Sequence, residues 1–558
     1  MMVKRIFVIL WGLMIFSASI ATNKQMQQAA ADKQMQLTAD RQLAAMGIRE
    51  KAEKMAETEA YAVYGTQGNG FVVVGKYAGQ PHVLAYSTTA YRPEAMPCGL
   101  RWWLQAVGES VDASAQAPAA RKYTAVANFV KTQWGQGIPY NQKCPLHNNQ
   151  RTPTGCIATA MAQLMRYYEW PAQGQGMGCY TIGDDTDKPV YAAVNGTYDW
   201  ANLPLVKYSF STKSAIRSAV STLMHDCGKA SRMNYHTDGS GANDWDQALA
   251  LARHFQYDSL AMRRCERSLY SDNDWMELIN TEMQARRPIL YSGSSEADGG
   301  HAFLFSGLDS DGRVWVNWGW DGDFDGYYDI NVLKPKDSRY TESYDFTEGQ
   351  SMNIGIQPLS AEGSVGEYRS QWVCYYVSDA IVSRNRRQIQ VPFYYFYNVS
   401  YLPFVGTVGI LVESTDGKGI SRLLAVDGME SVAAACYEAY TNVDYSSSEP
   451  SYEQVTLPLT GLPAGYYRAT WVTQAQQETE PRPIVNEDGS PMTPIYFAKQ
   501  ADGSFAVATE PFVSAIGRLA ADSSTPAASY DLQGRPASQS HRGLTIVRQG
   551  SRSRVISQ

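Results

Sequence analysis

A chain of 558 residues is longer than one hydrophobic core organises, so three or four folding units are expected. Apolar residues make up 44% and charged residues 18%, with 36 Tyr and 13 Trp, which excludes a disordered chain and favours strand-rich globular domains. A net charge of −7 without a basic block excludes tracking of a phosphate backbone, and no nucleic-acid partner is expected.

Lys4 and Arg5 precede an apolar run from Ile6 to Ile20 that closes on Ser19 and Ala21. This run is short for a bilayer-spanning helix and carries a small-residue cleavage site, so residues 1–21 read as a cleaved export signal rather than an anchor. From Lys24 to about Thr58 the composition favours a helix with a weak apolar stripe, expected to lie exposed to solvent. AYAVYG, GFVVVG and HVLAYS then read as strands, followed by the amphipathic segment LRWWLQAV. The small-residue stretch from Asp112 to Arg121 reads as a linker open to proteolysis.

A second unit, mixing helices and short strands, runs from near Lys122 to about Pro358. Within it, PTGCIATAMAQLMRYYEWP places apolar residues at Ile157, Ala160, Met161, Leu164, Met165 and Tyr168, one buried face of a helix that ends at Pro171. Cys156 falls at the N-terminus of that helix, where unpaired N–H groups and the positive end of the macrodipole lower a thiol pKa and hold a developing oxyanion. A small buried core cysteine fits the same segment, and only a partner group decides between the two.

That partner is His301, in DGGHAFLFSGLDSDGRVWVNWGWDGDFDGYYDI. The stretch reads as strands HAFLFSGL, RVWVNWG and GYYDI in an antiparallel meander. Gly299 and Gly300 leave room beside the ring for a substrate backbone. The hairpin turns Asn317 back toward His301, where its amide is expected to fix the imidazole tautomer while the Trp318 ring shields that bond from water.

These motifs are similar to those of the streptopain family of secreted bacterial cysteine peptidases, within the papain-like clan and close to the Bacteroidales forms. GQGIPYN, the Cys156 motif, GGHAF and VNWGWDGDFDGYYDI carry the resemblance across the whole second unit. It implies an α+β, papain-like, two-lobed catalytic domain with Cys156 and His301 as the dyad. The glutamine of the family's Q-G-x-P-Y-N motif, associated with the oxyanion hole, falls on Gln136, with Gln133 as second choice. YHTDGSGAND resembles the loop lining the substrate cleft, which implies backbone binding roles for Ser240 and Gly241; His236 departs from the family's glycine, and an ordinary Gly-rich turn fits the same residues. Gly300, beside His301, is the third expected substrate-binding residue. The strands before Lys122 resemble the family's inhibitory propeptide, the other reading being a folding or substrate-binding module.

From about Glu367 to Glu510 strand-like runs separated by Gly, Pro and Asp turns suggest a β-sandwich. The segment YDLQGRPASQSHRGLTIVRQG resembles C-terminal modules of secreted Bacteroidetes proteins, some of which are sorting signals read by outer-membrane secretion machinery. The implied layout is a signal (1–21), propeptide (22–118), peptidase (119–360), β-sandwich (365–512) and short C-terminal β module (521–558). DGDFDG matches the start of a calcium loop, but its twelfth position is Val332, so a polar turn is expected. No metal or other cofactor is expected.

Together these readings describe an exported thiol endopeptidase acting on extended polypeptides and restrained by its own N-terminal segment. A silent surface-binding protein on the same scaffold is the alternative, and acyl transfer to an amine is the rival chemistry.

Overall fold

A computed structural model describes residues 26, 29–78, 80–112, 114–117, 121–209, 211–259, 261–267, 270–295, 299–332, 350–359, 370–399, 403–426, 428–434, 439–444, 451–486, 490–512, 528–530, 544–549 and 552–557. The signal expected over residues 1–21 lies outside these. The chain divides into two compact units, Met1–Glu367 and Tyr368–Gln558.

In the first unit, helix α1 (29–45) is followed by β1 (Glu53–Glu57), β2 (Tyr61–Gly65), β3 (Phe71–Gly75) and β4 (His82–Ser87). α1 is not a solvated helix: Met35, Ala39 and Leu43 are buried against Ala62, Tyr64, Val72 and Val74. The weak apolar stripe is therefore a packing face. β1, EKMAE, has no apolar alternation of its own and forms by pairing with β2. Helix α2 (Cys98–Ser110) buries Leu100, Trp102, Trp103, Leu104 and Val107.

The helices that follow are α3 (Cys156–Tyr168), α4 (Ser214–Ala230), α5 (Asp244–Phe255) and α6 (Asp272–Gln284). α3 has no solvent face over most of its length, since Ala158, Thr159, Ala162 and Gln163 are buried along with the predicted apolar stripe. It packs against α4 and α5. Strands β5 (Arg263–Glu266), β6 (Ile289–Ser295), β7 (Gly299–Leu308), β8 (Val314–Asn317), β9 (Gly326–Tyr328) and β10 (Ser351–Ile354) complete the unit's large sheet. RVWVNWG and GYYDI thus form shorter strands than their apolar runs suggested.

The sheet has ten strands in the order β1-β2-β3-β4-β9-β8-β7-β6-β10-β5, with antiparallel pairing throughout. β4 joins β9 in the register Gly326↔Ser87, Tyr327↔Tyr86 and Tyr328↔Ala85. The N-terminal four strands therefore extend the sheet that carries His301. β7 in turn packs against α3, and this seam between helical layer and sheet brings the Cys156 and His301 segments together.

The second unit contains strands only among its described residues. Strand Phe404–Ser414 pairs antiparallel with strand Gly465–Ala475 from Gly406↔Ala475 to Ser414↔Tyr467. Phe396, from a neighbouring four-stranded sheet, packs edge-on against Trp471 at 5.1 Å between ring centroids. Ala528–Tyr530, Leu544–Gln549 and Arg552–Ser557 form a three-stranded antiparallel sheet.

Candidate active site

Gly155 precedes α3 with φ of 85°. A side chain there is strained, and a Cβ would stand 2.7 Å from Met233 Sδ and 2.9 Å from the Ser240 carbonyl oxygen. Only glycine lets the chain turn this tightly into a helix whose first residue is Cys156. Thr154 N donates to the Gln136 carbonyl at 3.0 Å, which fixes the Gln136 segment beside the turn. Gln133 lies elsewhere, against Gly322 of the Asp321–Gly326 loop.

The Cys156 sulfur receives main-chain N–H groups from Ala302, from Ile157 and from its own residue. Ala302 follows His301 directly, so the strand bearing the imidazole lies against the thiol. The pKa expected from a helix N-terminus is not what results. Atoms packed around the sulfur push the Cys156 thiol up to about 11, outweighing those N–H groups, and Cys98 adds to the rise. His301 is 5% exposed, and its burial pushes the imidazole down to about 4 against the opposing main-chain carbonyl of Trp318. At neutral pH both groups are therefore uncharged in this state.

α2 brings a second thiol to the imidazole. Cys98 Sγ lies 3.4 Å from His301 Nδ1. Next to it, a Cβ on Gly99 would fall 2.6 Å from His301 Cδ2 and 2.8 Å from the Trp318 ring. α2 is held down by two tryptophans. The Trp102 ring packs on Phe303 at 6.1 Å and close over Gly293, and Trp103 packs edge-on to Tyr328 at 5.1 Å while donating to Asp329 O at 2.9 Å. Each fully buried indole removes about 150–250 Å² from water, on the order of 4–6 kcal/mol at about 25 cal/mol per Å². Peripheral bonds add to this: Ser87 Oγ to Asp325 O at 2.6 Å, Tyr86 to Asp309 at 3.0 Å, and the Arg92–Asp323 pair at 2.7 Å.

Asn317 does not bond to His301. Its Nδ2 donates to Thr132 O at 2.8 Å and to Gln163 Oε1 at 3.1 Å, and its Oδ1 accepts from Gln163 Nε2 at 3.1 Å and Gly319 N at 2.9 Å. Register explains this: Asn317 pairs with Leu304, three residues along β7 from His301. Gln163, on the second turn of α3, was missed because it reads as a polar gap in an apolar helix. Trp318 is buried against Phe303 and Tyr328, with its carbonyl beside the imidazole rather than its ring over an Asn–His bond. Trp320 was also missed; its ring lies edge-on to His301 at 6.1 Å. Asp325 is buried, its carboxyl pushed up to about 8, and it accepts from Trp318 N at 3.0 Å.

Of the expected binding residues, Ser240 Oγ donates to Pro153 O at 2.8 Å and accepts from His236 N at 3.3 Å, which anchors its loop to the turn before Cys156. Gly241 cannot offer its backbone to a peptide, because its N–H and C=O both bond to Asn234. Gly300 is exposed and pairs with Ser294 at the end of β7.

Residues 134–328 match the sequence profile of the peptidase C10 family. That region of the chain belongs to this family. It is 30% identical over 395 residues to the thiol protease/hemagglutinin PrtT of Porphyromonas gingivalis and 29% identical over 322 residues to streptopain of Streptococcus pyogenes. These alignments cover 64% and 53% of the chain, but 45% of PrtT and 80% of streptopain. The chain thus spans less than half of PrtT. Among solved structures, a prointerpain A fragment from Prevotella intermedia is 33% identical, covering 55% of this chain and 98% of the fragment, with a TM-score of 0.48. Active interpain A from the same organism is 37% identical over 42% of this chain and 96% of its own, with a TM-score of 0.36. The C10 region has the papain-like peptidase fold, of mixed α/β content with several sheets. No helix among the described residues is long and apolar enough to cross a membrane.

Proposed function

We propose that this chain is an exported cysteine endopeptidase made as a zymogen, with Cys156 as nucleophile, His301 as general base and acid, and the segment before Lys122 as its inhibitor. One observation carries the reading: α2 occupies the seam between the Cys156 helix and the His301 strand and puts a thiol 3.4 Å from His301 Nδ1. Loss of the segment frees the imidazole to take the Cys156 proton, and the thiolate and imidazolium then stabilise each other.

Cys156 attacks a carbonyl of an extended polypeptide. The oxyanion is held by the Cys156 N–H and the Gln136 side chain, His301 protonates the leaving amine, and water hydrolyses the thioester. Asn317 contributes through the Gln163 bond network, which fixes the end of β8 and hence the Trp318 carbonyl beside the ring. Ser240 and Gly300 border the peptide path. Export by the N-terminal signal and sorting by the C-terminal module, through outer-membrane secretion machinery, complete the proposal.

The test is a chain beginning at Lys122, assayed on a denatured polypeptide. It should cleave internal bonds, Cys156→Ala should abolish cleavage, and the intact chain should cleave only after losing the segment. Tight polypeptide binding by the shortened chain without hydrolysis would favour the silent binding scaffold.

A further inference from the structure

Two of the chain's cysteines occupy equivalent positions on opposed elements. Cys98 is the first residue of α2 and Cys156 the first residue of α3. Both are thiols in this structure, and they lie against consecutive residues of β7, Cys98 at the His301 ring and Cys156 at the Ala302 N–H. Their negative charges interact directly when ionised. Inhibition by steric cover requires only bulk at this point, and α2 already supplies it through Trp102 and Trp103. A thiol pressed onto the imidazole is chemically more than a plug.

We propose that Cys98 and Cys156 form a redox latch, an intramolecular disulfide that seals the nucleophile covalently while the inhibitory segment is docked and that reduction opens. The inference rests on Cys156 being the nucleophile of the proposed peptidase.

The oxidant is a low-molecular-weight disulfide such as oxidised glutathione. Cys98 transfers its proton to the neutral His301 imidazole 3.4 Å away and attacks one sulfur of the disulfide. The first glutathione leaves as a thiolate and takes that proton, which gives a mixed disulfide on Cys98. The Cys156 sulfur then attacks the Cys98 sulfur, the second glutathione leaves as a thiol with the Cys156 proton, and the Cys98–Cys156 bond closes. Two protein thiols have lost two electrons to one small disulfide. Exchange with a reducing thiol runs the sequence backward, and the segment can then be cleaved and released.

The latch makes activation depend on two conditions, reduction and proteolysis. A cut in the linker alone leaves the α2 fragment tethered to the site, so a nicked molecule in an oxidising medium stays silent.

The experiment uses the intact full-length chain, equilibrated with oxidised glutathione, blocked with an alkylating agent and digested under non-reducing conditions for mass spectrometry. The expected result is a peptide joining Cys98 to Cys156 that reducing agent separates. Cys98→Ser should instead leave a glutathione adduct on Cys156. A nicked oxidised chain should gain activity with reducing agent, whereas nicked Cys98→Ser kept free of glutathione should be active without it. Recovery of wild-type Cys156 only as a glutathione adduct, with Cys98 alkylated, overturns the latch, as does a Cys98 bond to any other cysteine. The linkage is read whether or not the enzyme turns over, so an inactive protein that still forms it refutes the peptidase reading and leaves the latch standing.

Discussion

Gly99 meets His301 so closely that a Cβ on the glycine would stand 2.6 Å from the imidazole Cδ2. The neighbour on that side is a buried ring packed near Phe303 and Trp320, not the flexible end of a side chain. Contact at this point decides whether α2 stays seated.

A larger residue here should therefore unseat the helix. Overpacking of this kind costs about 1–3 kcal/mol, which shifts a docking equilibrium by roughly 5- to 150-fold. Gly99→Leu in the intact chain is expected to process its linker faster than wild type by a factor in that range, measured by the disappearance of full-length protein. An equal rate would place the restraint elsewhere.

Burial holds the Cys156 thiol at about 11, above its ordinary value near 9, and Cys98 of α2 adds to the rise. Alkylation of Cys156 in the intact chain should accordingly rise with pH toward a midpoint near 11. In a chain starting at Lys122 the midpoint should fall by two or more units, because the sulfur regains water and an imidazolium neighbour. Peptide mass spectrometry of alkylated Cys156 against pH reads both profiles.

His301 gives the opposite pH dependence to docking. Its pKa is lowered to about 4 in the docked state against an ordinary value of 6.5. In the released wild type the imidazole takes its proton from Cys156 and none enters from solvent, whereas in Cys156→Ala the proton must come from solvent. Docking in that variant is at full strength above about pH 6.5 and weakens as pH falls toward 4, by up to about tenfold per unit. Amide exchange over residues 98–110, corrected for its intrinsic rate, should show lower protection at pH 5 than at pH 7.5 in full-length Cys156→Ala.

Gln163 and Asn317 share two hydrogen bonds in a buried setting. Asn317→Ala strands the Gln163 amide and the Thr132 carbonyl, at about 1–3 kcal/mol for each unsatisfied group. A double-mutant cycle with Gln163→Ala, followed by denaturant unfolding, should give a coupling of about 0.5–3 kcal/mol. Gln136→Ala should behave differently, lowering kcat about 100- to 1,000-fold with little change in stability or KM.

Much of the site was legible because its chemistry is local. The Cys156 helix announces itself by apolar spacing and a preceding glycine, and the His301 strand by its apolar run. What sequence did not reveal depends on pairing between distant segments. EKMAE becomes β1 only against β2, and the β4–β9 join, which merges the N-terminal strands with the sheet bearing His301, has no local signature. The same holds for polar partners: Asn317 faces Gln163 rather than His301 because of register, which the hairpin turn alone does not set. Cys98 passed as one cysteine among eight scattered along the chain until α2 set it against the imidazole. The thiol pKa was misjudged for a related reason, since the helix N-terminus is visible in sequence and the packing that overrides it is not.

The most direct test is site-resolved labelling with an irreversible thiol-protease inhibitor, followed through activation of the full-length chain. Label should be confined to Cys156, appear only as material cut between Pro118 and Lys122 accumulates in reducing buffer, and vanish in His301→Ala. Stoichiometric label on Cys156 in the uncut chain, or label that persists without His301, would contradict an imidazole-activated thiol held silent by the N-terminal segment.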